Sequence, residues 1–382
     1  MLGLRVTQKH IPLLFEERML SSVEAPAIAP RPSKSDTAEP VKQSVTIRDV
    51  VFILHESGDG ELDAVQFEEP HMFSPPKASG YAPLHLGQQI VHLDDIPAQF
   101  REPEPGEGDY EIVRKLGWGQ EGSVWLAREL DDSYEPSFVA IKVLTSRVTG
   151  ATGRKESFEL PALDAIEDGD LDHPGRQHCT LLLDVFLYRS LHGPHFCLVF
   201  EPLSASLYDY VEVVRSGQEF GFPIDGLRNI IRQVLLAVSY VHSNGFIHTD
   251  IKSDNIFIDF GEQNEAIAKY LAEHPSSTYP ARHKPSISPD PIITVVSEPL
   301  PPFGLLDRND LRLKLGDFGA AIPMEESLTF SPPLASGELL HKLDFTTLPA
   351  LRDLGQRISE LGVDPESRPS AEELLRDPFL TD

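Results

Sequence analysis

Asp250, Lys252 and Asn255 stand at fixed offsets in the run His248-Thr249-Asp250-Ile251-Lys252-Ser253-Asp254-Asn255, directly after an apolar helical pattern and the pair Phe246-Ile247. A carboxylate, an ammonium and an amide at this spacing suit phosphoryl transfer. Asp250 can accept the proton of an attacking hydroxyl. Lys252, two positions on along an extended backbone, can point the same way and neutralise a transferring phosphate. Asn255 offers a neutral oxygen to a magnesium ion. Taken alone, a D-x-K-x-x-N is more often a polar turn between a helix and a strand. What decides is whether the groups that must accompany it are present and in order.

Three such groups follow from the pattern. Gly117-Trp118-Gly119-Gln120-Glu121-Gly122 is a G-x-G-x-x-G between Tyr110–Leu116 and Ser123–Ala127, both strand-like. A dinucleotide-binding fold needs a helix after such glycines. Here β-branched and aromatic residues follow, so the glycines sit in a hairpin, where residues without Cβ let backbone N–H groups approach phosphate oxygens. Phe138–Leu144 is a third strand, apolar except for Lys142 in the setting Val139-Ala140-Ile141-Lys142, which suits a lysine holding α- and β-phosphates. Gly316-Asp317-Phe318-Gly319 follows the strand Leu311–Leu315, and Asp317 is placed to ligate magnesium bridging phosphates. Lys142 needs a carboxylate to orient it. Glu159 is favoured in the helical patch Arg154–Ile166, since Leu160, Leu163 and Ile166 surround it at helical offsets, with Glu156 as the alternative. Pro161 belongs only in a helix's first turn, so this helix starts late or bends.

The elements that must position these groups read as follows. Strands are expected over Ser44–His55, Leu181–Leu187, Phe196–Phe200 and Ile256–Phe260, and helices over Ile11–Met19, Ser206–Val214 and Leu227–Asn244, the last ending at Asn244-Gly245. Glu201-Pro202-Leu203 follows the strand Phe196–Phe200, where backbone groups can bond an adenine. An insertion over residues 261–310 holds a helix from Glu262 to Glu273, a strand at Ile292–Val296 and proline-rich stretches. Ala25–Pro40 is rich in Pro, Ser and Ala and reads as disordered. Glu68–Leu86, punctuated by prolines, reads as an ordered loop or tail, and Glu102–Asp109 as a linker.

Composition narrows the class. The chain has 382 residues, 40% hydrophobic, with a formal charge of −27. That charge speaks against a general nucleic-acid binder and is compatible with basic partners. No run reaches the length of apolar residues a membrane span needs, and the N-terminus, with Glu16 and Glu17 close behind Lys9, does not have a signal-peptide pattern. Cys179 and Cys197 sit among apolar neighbours, as buried free thiols do, which suits a reducing compartment and offers no zinc site. The expectation is an intracellular, cytoplasmic or nuclear monomer.

Together these residues resemble a eukaryotic protein kinase: Gly117, Gly119, Gly122 and Val124; Ala140 and Lys142; Asp250, Lys252 and Asn255; Asp317-Phe318-Gly319. They resemble more closely the SRPK (serine/arginine-rich protein-specific) kinases. Gly80-Tyr81-Ala82-Pro83-Leu84-His85-Leu86-Gly87 is similar to that family's segment ahead of the glycine loop. Leu116-Gly117-Trp118-Gly119 with Val124-Trp125-Leu126-Ala127 is similar to its loop, Thr249 stands where most kinases have Arg, and the insertion lies where that family carries one. The resemblance covers roughly Gly80 to Ala321. It implies an α+β, two-lobed fold, with a β-rich lobe over 80–201, a helical lobe over 202–382 and an N-terminal extension over 1–79. It implies ATP and Mg2+ as cofactors and serine in Arg/Ser-rich proteins as acceptor. Leu116, Gly117, Gly119, Gly122, Val124, Ala140, Lys142, Glu159, Glu201 and Leu203 would line the nucleotide, Asn255 and Asp317 the metal, with Asp250 and Lys252 catalytic. Thr249 implies that no Arg at this position reads an activation-loop phosphate.

The sequence departs from the family in three places. Glu121 puts an anion at the glycine-loop tip. Pro161 disturbs the helix that carries Glu159. After Gly319 there is no A-P-E and no aspartate-led apolar helix, yet Pro365–Leu375 and Pro378-Phe379-Leu380 look like a kinase's closing segment, and only about fifty positions separate Gly319 from Arg368, too few for a substrate loop and three helices. A shortened helical lobe, or a chain lacking an internal segment, is expected. An ATP-binding scaffold without phosphotransfer is the alternative function, and a small-molecule phosphotransferase a third.

Overall fold

The computed structural model describes residues 43–47, 50–56, 62–63, 68–69, 80–91, 108–130, 136–216, 223–281, 285, 288–303, 309, 311–324 and 370–381. The helix expected over 11–19, the stretch 25–40, residues 102–107 of the linker and Arg368 lie outside them. A three-stranded antiparallel sheet comes first, β1 (Gln43–Ile47), β2 (Val50–Glu56) and β3 (Leu62–Asp63). The single strand expected over 44–55 is thus two antiparallel strands, with Ile47 opposite Val50.

Half of the site hangs on a six-stranded antiparallel sheet. Its strands are β4 (Gln89–Ile90), β5 (Tyr110–Trp118), β6 (Gly122–Glu129), β7 (Phe138–Leu144), β8 (Leu182–Ser190) and β9 (Gly193–Phe200), in the order β4-β5-β6-β7-β9-β8. Alternation sorts their side chains between two cores. Ile141, Val143, Cys197 and Val199 meet Ala82, Leu84, Ile112 and Trp125 on one face. Leu144, Phe196 and Leu198 meet Leu160, Leu163 and Ile166 on the other. Both cysteines are free and buried, as their apolar surroundings predict.

The helical patch expected over 154–166 is helical only from Glu159, and a further helix precedes it. α1 (Ser146–Gly153) has no apolar stripe and two glycines, so periodicity does not announce it. Hydroxyls hold it instead: Thr145 caps it through Val148 N–H at 3.3 Å, and Thr149 Oγ1 accepts from Phe196 N–H at 2.9 Å. α2 (Glu159–Asp168) begins at Glu159, which places Pro161 in the first turn, where a missing N–H costs no hydrogen bond.

The second half is helical. α3 (Leu207–Ser216) and α4 (Ile224–Ser243) are followed by β10 (Phe246–Ile247), β11 (Ile256–Ile258), α5 (Asn264–Glu273), β12 (Leu313–Leu315), β13 (Ile322–Pro323), α6 (Ala371–Leu374) and α7 (Pro378–Thr381). One face of α4 sends Ile230, Ala237, Tyr240 and Val241 into the main core. Its other apolar stripe, Ile224, Leu227, Ile231 and Leu235, is covered by Leu374, Phe379 and Leu380 of the closing segment. Gln233 completes the edge of β12, donating to Leu311 O at 2.7 Å and accepting from Leu313 N–H at 2.8 Å. α4 ends at Asn244, and Gly245 takes the left-handed conformation, φ 80°, that turns the chain toward His248.

The insertion is docked on the sheet. Ile267 of α5 packs with Phe260, Leu300, Leu126 and Phe138. Arg114 of β5 donates to His274 O and Glu298 O, both at 2.9 Å, and pairs with the Glu298 carboxylate at 3.3 Å. Lys115 is fully buried between Glu68, at 2.5 Å, and Glu69. Ser297 donates its N–H and its hydroxyl to Glu68, both at 2.7 Å. The strand expected at Ile292–Val296 is an extended segment making single bridges, Thr278 to Val295 and Lys115 to Ser297, because Pro291 and Pro299 at its flanks withhold ladder donors. Among the described residues no helix is long and apolar enough to cross a membrane.

Candidate active site

The glycine hairpin joins β5 to β6, and register places Gly117 opposite Val124 and Val124 opposite Lys142. The three glycines serve different ends. A Cβ on Gly117 or Gly119 would meet nothing within 4 Å, so these two leave open space above the cleft. A Cβ on Gly122 would lie 2.3 Å from the Val143 carbonyl, so this glycine is required by strand packing. Leu116 and Val124 are half-buried and Ala140 is buried, an apolar lining beside the hairpin. Glu201 follows β9, one of its carboxylate oxygens accepting from Lys314 Nζ at 2.5 Å; Leu203 nearby is half-buried.

Lys142 gathers three carboxylates from three elements. Its Nζ lies 2.5 Å from Glu159 of α2, 2.9 Å from Asp317 after β12 and 3.5 Å from Glu121 of the hairpin. Burial alone would depress its pKa; the charges of Glu159, Asp317 and Glu121 outweigh it, and the ammonium is held charged. Burial pushes Glu159 up to about 7 against the pull of Lys142. Asp317 is held low, first by Lys142. Glu156, the alternative partner, instead pairs with Arg154 at the surface. The Glu121 carboxylate lies over Gly319, where a Cβ would come within 1.6 Å of its Oε2. Oxygens of Glu121, Glu159 and Asp317 all lie within 4.8 Å of one another.

The loop after β10 is fixed by groups at its own ends. Asp250 Oδ2 accepts from Lys252 Nζ at 2.7 Å and from Asn255 Nδ2 at 3.0 Å. Asn255 Nδ2 also donates to Asp250 O at 2.9 Å, which leaves the amide oxygen as its free end. Gly316 N–H donates to Asn255 O at 2.9 Å and Ile256 pairs with Leu315, so Asn255 stands across the ladder from Gly316, the residue before Asp317. Asp317 itself is left-handed, φ 58°. These oxygen donors fit a hard divalent cation such as magnesium.

Sequence patterns place His248 and Thr249 in the loop but give them no contacts. His248 is buried, its Nε2–H donating to Gly316 O at 2.9 Å while Asp250 N–H reaches Nδ1 at 3.4 Å; its ring lies 4.9 Å from Phe318. Burial keeps it neutral. Thr249 holds φ 65°, a strained value for a β-branched residue, and donates its hydroxyl to Ala320 O at 2.7 Å. Both residues tie the Asp250 loop to the Asp317 turn. Their signal in the sequence is only their position before a polar motif, which fixes no partner.

Residues 110–270 match the protein kinase domain family. The chain is similar to protein kinase dsk1 of Schizosaccharomyces pombe, 34% identical over 47% of this chain and 29% of the relative. It is also similar to a serine/threonine-protein kinase SRPK of Physarum polycephalum, 31% identical over 48% and 37%. SRSF protein kinase 3 of Mus musculus is 35% identical over 41% and 26%. The chain therefore spans between about a quarter and two fifths of the length of these curated relatives.

Proposed function

We propose that this chain, which carries a protein kinase domain and is similar there to the SRPK kinases, transfers the γ-phosphate of ATP to serine or threonine of a protein. The observation that carries the proposal is the meeting of Lys142, Glu159 and Asp317 beside a loop in which Lys252 and Asn255 fix Asp250. The half-buried and buried apolar residues Leu116, Val124 and Ala140 receive the adenine, and the backbone near Glu201 and Leu203 bonds its edge. Lys142, oriented by Glu159, holds the α- and β-phosphates. Asn255 and Asp317 would hold magnesium, which would supply positive charge against the phosphates.

Asp250 orients the acceptor hydroxyl and takes its proton as the new O–P bond forms. The bond from the γ-phosphorus to the leaving oxygen breaks, and ADP departs with that electron pair. Lys252, 2.7 Å from Asp250, is placed to stabilise charge on the moving phosphoryl group. Residues 80–382 form the kinase domain in this proposal, with 1–79 as an extension.

An Arg/Ser-rich acceptor is supported by the similarity to SRSF protein kinase 3 and by the formal charge of −27, which draws basic peptides. The test is transfer from γ-labelled Mg-ATP to an Arg/Ser-repeat peptide and to a peptide with Glu in place of each Arg. Label on serine of the first and not the second is expected. Equal labelling contradicts the substrate class, and no labelling of any protein acceptor contradicts the function.

A further inference from the structure

Tyr81 belongs to the Gly80–Gly87 segment, which the kinase chemistry above does not use. It is buried, and its hydroxyl donates to Gly119 O at 2.8 Å, with Gln120 O at 3.4 Å. Its ring meets Trp118 edge-to-face, centroids 6.0 Å apart. The segment around it is firmly seated. Ser146 N–H donates to Gly80 O at 2.9 Å, Ala82 and Leu84 are in the core with Ile141 and Val143, and Ile112 N–H donates to Gln88 O at 2.9 Å.

The direction of these bonds matters. A trans peptide holds its C=O and N–H on opposite edges. With the Gly119 and Gln120 carbonyls both turned to one hydroxyl, the N–H groups of Gln120 and Glu121 are both turned away from it. Ala82 and Leu84 lie against Ile141 and Val143, and Lys142 alternates with those two along β7, on the opposite face. Groups turned away from Tyr81 therefore face the side of the sheet where Lys142 lies. No backbone carbonyl among the described residues accepts from either amide. Successive N–H groups aimed one way form a nest for anionic oxygen.

We propose that Tyr81 is a positioning residue: its hydroxyl orients two successive peptides at the hairpin tip so that the Gln120 and Glu121 amides face the nucleotide's phosphates. Burial, then the Glu69 charge, raises the phenol's pKa, so it remains a donor at neutral pH. The inference rests on the nucleotide-binding part of the proposed function.

The test compares wild type with Tyr81→Phe by titration calorimetry, with Mg-ATP and with adenosine, which lacks phosphates. Loss of one neutral hydrogen bond predicts about fivefold weaker Mg-ATP binding. Adenosine affinity is expected to be unchanged, and faster amide exchange at Gln120 and Glu121 is expected in the variant without ligand. A variant that binds both ligands as wild type does overturns the inference. So does one that loses both in equal measure, since that reports general loosening of the sheet. A wild-type protein that binds neither ligand overturns the nucleotide reading itself, and the inference with it. Binding is the readout, so the result does not depend on whether phosphotransfer is detected.

Discussion

Glu121 adds a third carboxylate to the proposed phosphate site. Its carboxylate approaches Lys142 to 3.5 Å and lies over Gly319, so it sits where anionic oxygens of a nucleotide would come. Lys142 then faces three carboxylates, and incoming phosphates must displace one of them. Glu121→Gln keeps the side chain's shape and removes its charge. Mg-ATP should bind roughly two- to fivefold more tightly to that variant at low salt, by calorimetry, with the gain shrinking as salt is added. Unchanged or weaker binding would contradict this account of Glu121. The sequence shows an anion at the loop tip and little more. It does not show that the tip folds back onto Gly319, because that depends on the hairpin's closure over a strand almost two hundred residues away. The Lys142–Glu159 pair was more legible, since apolar residues at helical offsets around Glu159 mark it as the buried carboxylate of its helix.

At the scale of elements, long apolar patterns were readable and hydroxyl-built ones were not. β7 and α4 follow directly from period and composition. α1 escapes because Thr145, Thr149 and Thr152, and not an apolar stripe, hold it in place. A similar polar tether lies beside it. His195 of β9 is buried, donating from Nδ1 to Leu144 O at 2.7 Å and accepting from Ser190 Oγ at 2.7 Å. Burial lowers its pKa to about 4. The unfolded chain protonates this ring below its ordinary pKa, near 6.5, while the folded chain resists until about 4. The stability it contributes is therefore present above 6.5 and lost as pH falls toward 4, by about 3 kcal/mol in full. His195→Gln removes that titration, so the Tm gap between the two proteins should narrow as pH falls through this window. A gap that widens in acid would contradict the assignment.

The closing segment is the other element whose role is structural. Phe379 and Leu380 are buried on the second apolar stripe of α4, and Arg228 donates to Phe379 O at 2.9 Å while lying over its ring. In sequence this segment only resembles a kinase's closing segment; its direct seat on α4 follows from packing. Phe379→Ala should cost about 3 kcal/mol, read by urea denaturation, through lost burial and the cavity left behind. A midpoint equal to wild type would mean that α6 and α7 do not cover α4 in solution.

For the whole molecule, the insertion and residues 68–69 act as parts of the kinase-like body. Arg114 and Lys115, adjacent on β5, reach the insertion on one side and the Glu68-Glu69 pair on the other, and Ser297 links the two sets. Motifs could locate the site because its residues are local runs at fixed spacing. They could not show these long-range ties, since a buried lysine in a strand looks the same in sequence whether its partner comes from upstream or from an insertion. The account's central claim concerns Asp250, held by Lys252 and Asn255 beside the Lys142 cluster. Its most direct test is γ-phosphate transfer from Mg-ATP to an Arg/Ser-repeat peptide by wild type and by Asp250→Ala, both checked for folding by calorimetry. The account predicts transfer by wild type and a loss of about 10²–10⁴-fold in the variant. Equal transfer by the two proteins, or none by well-folded wild type, would contradict it.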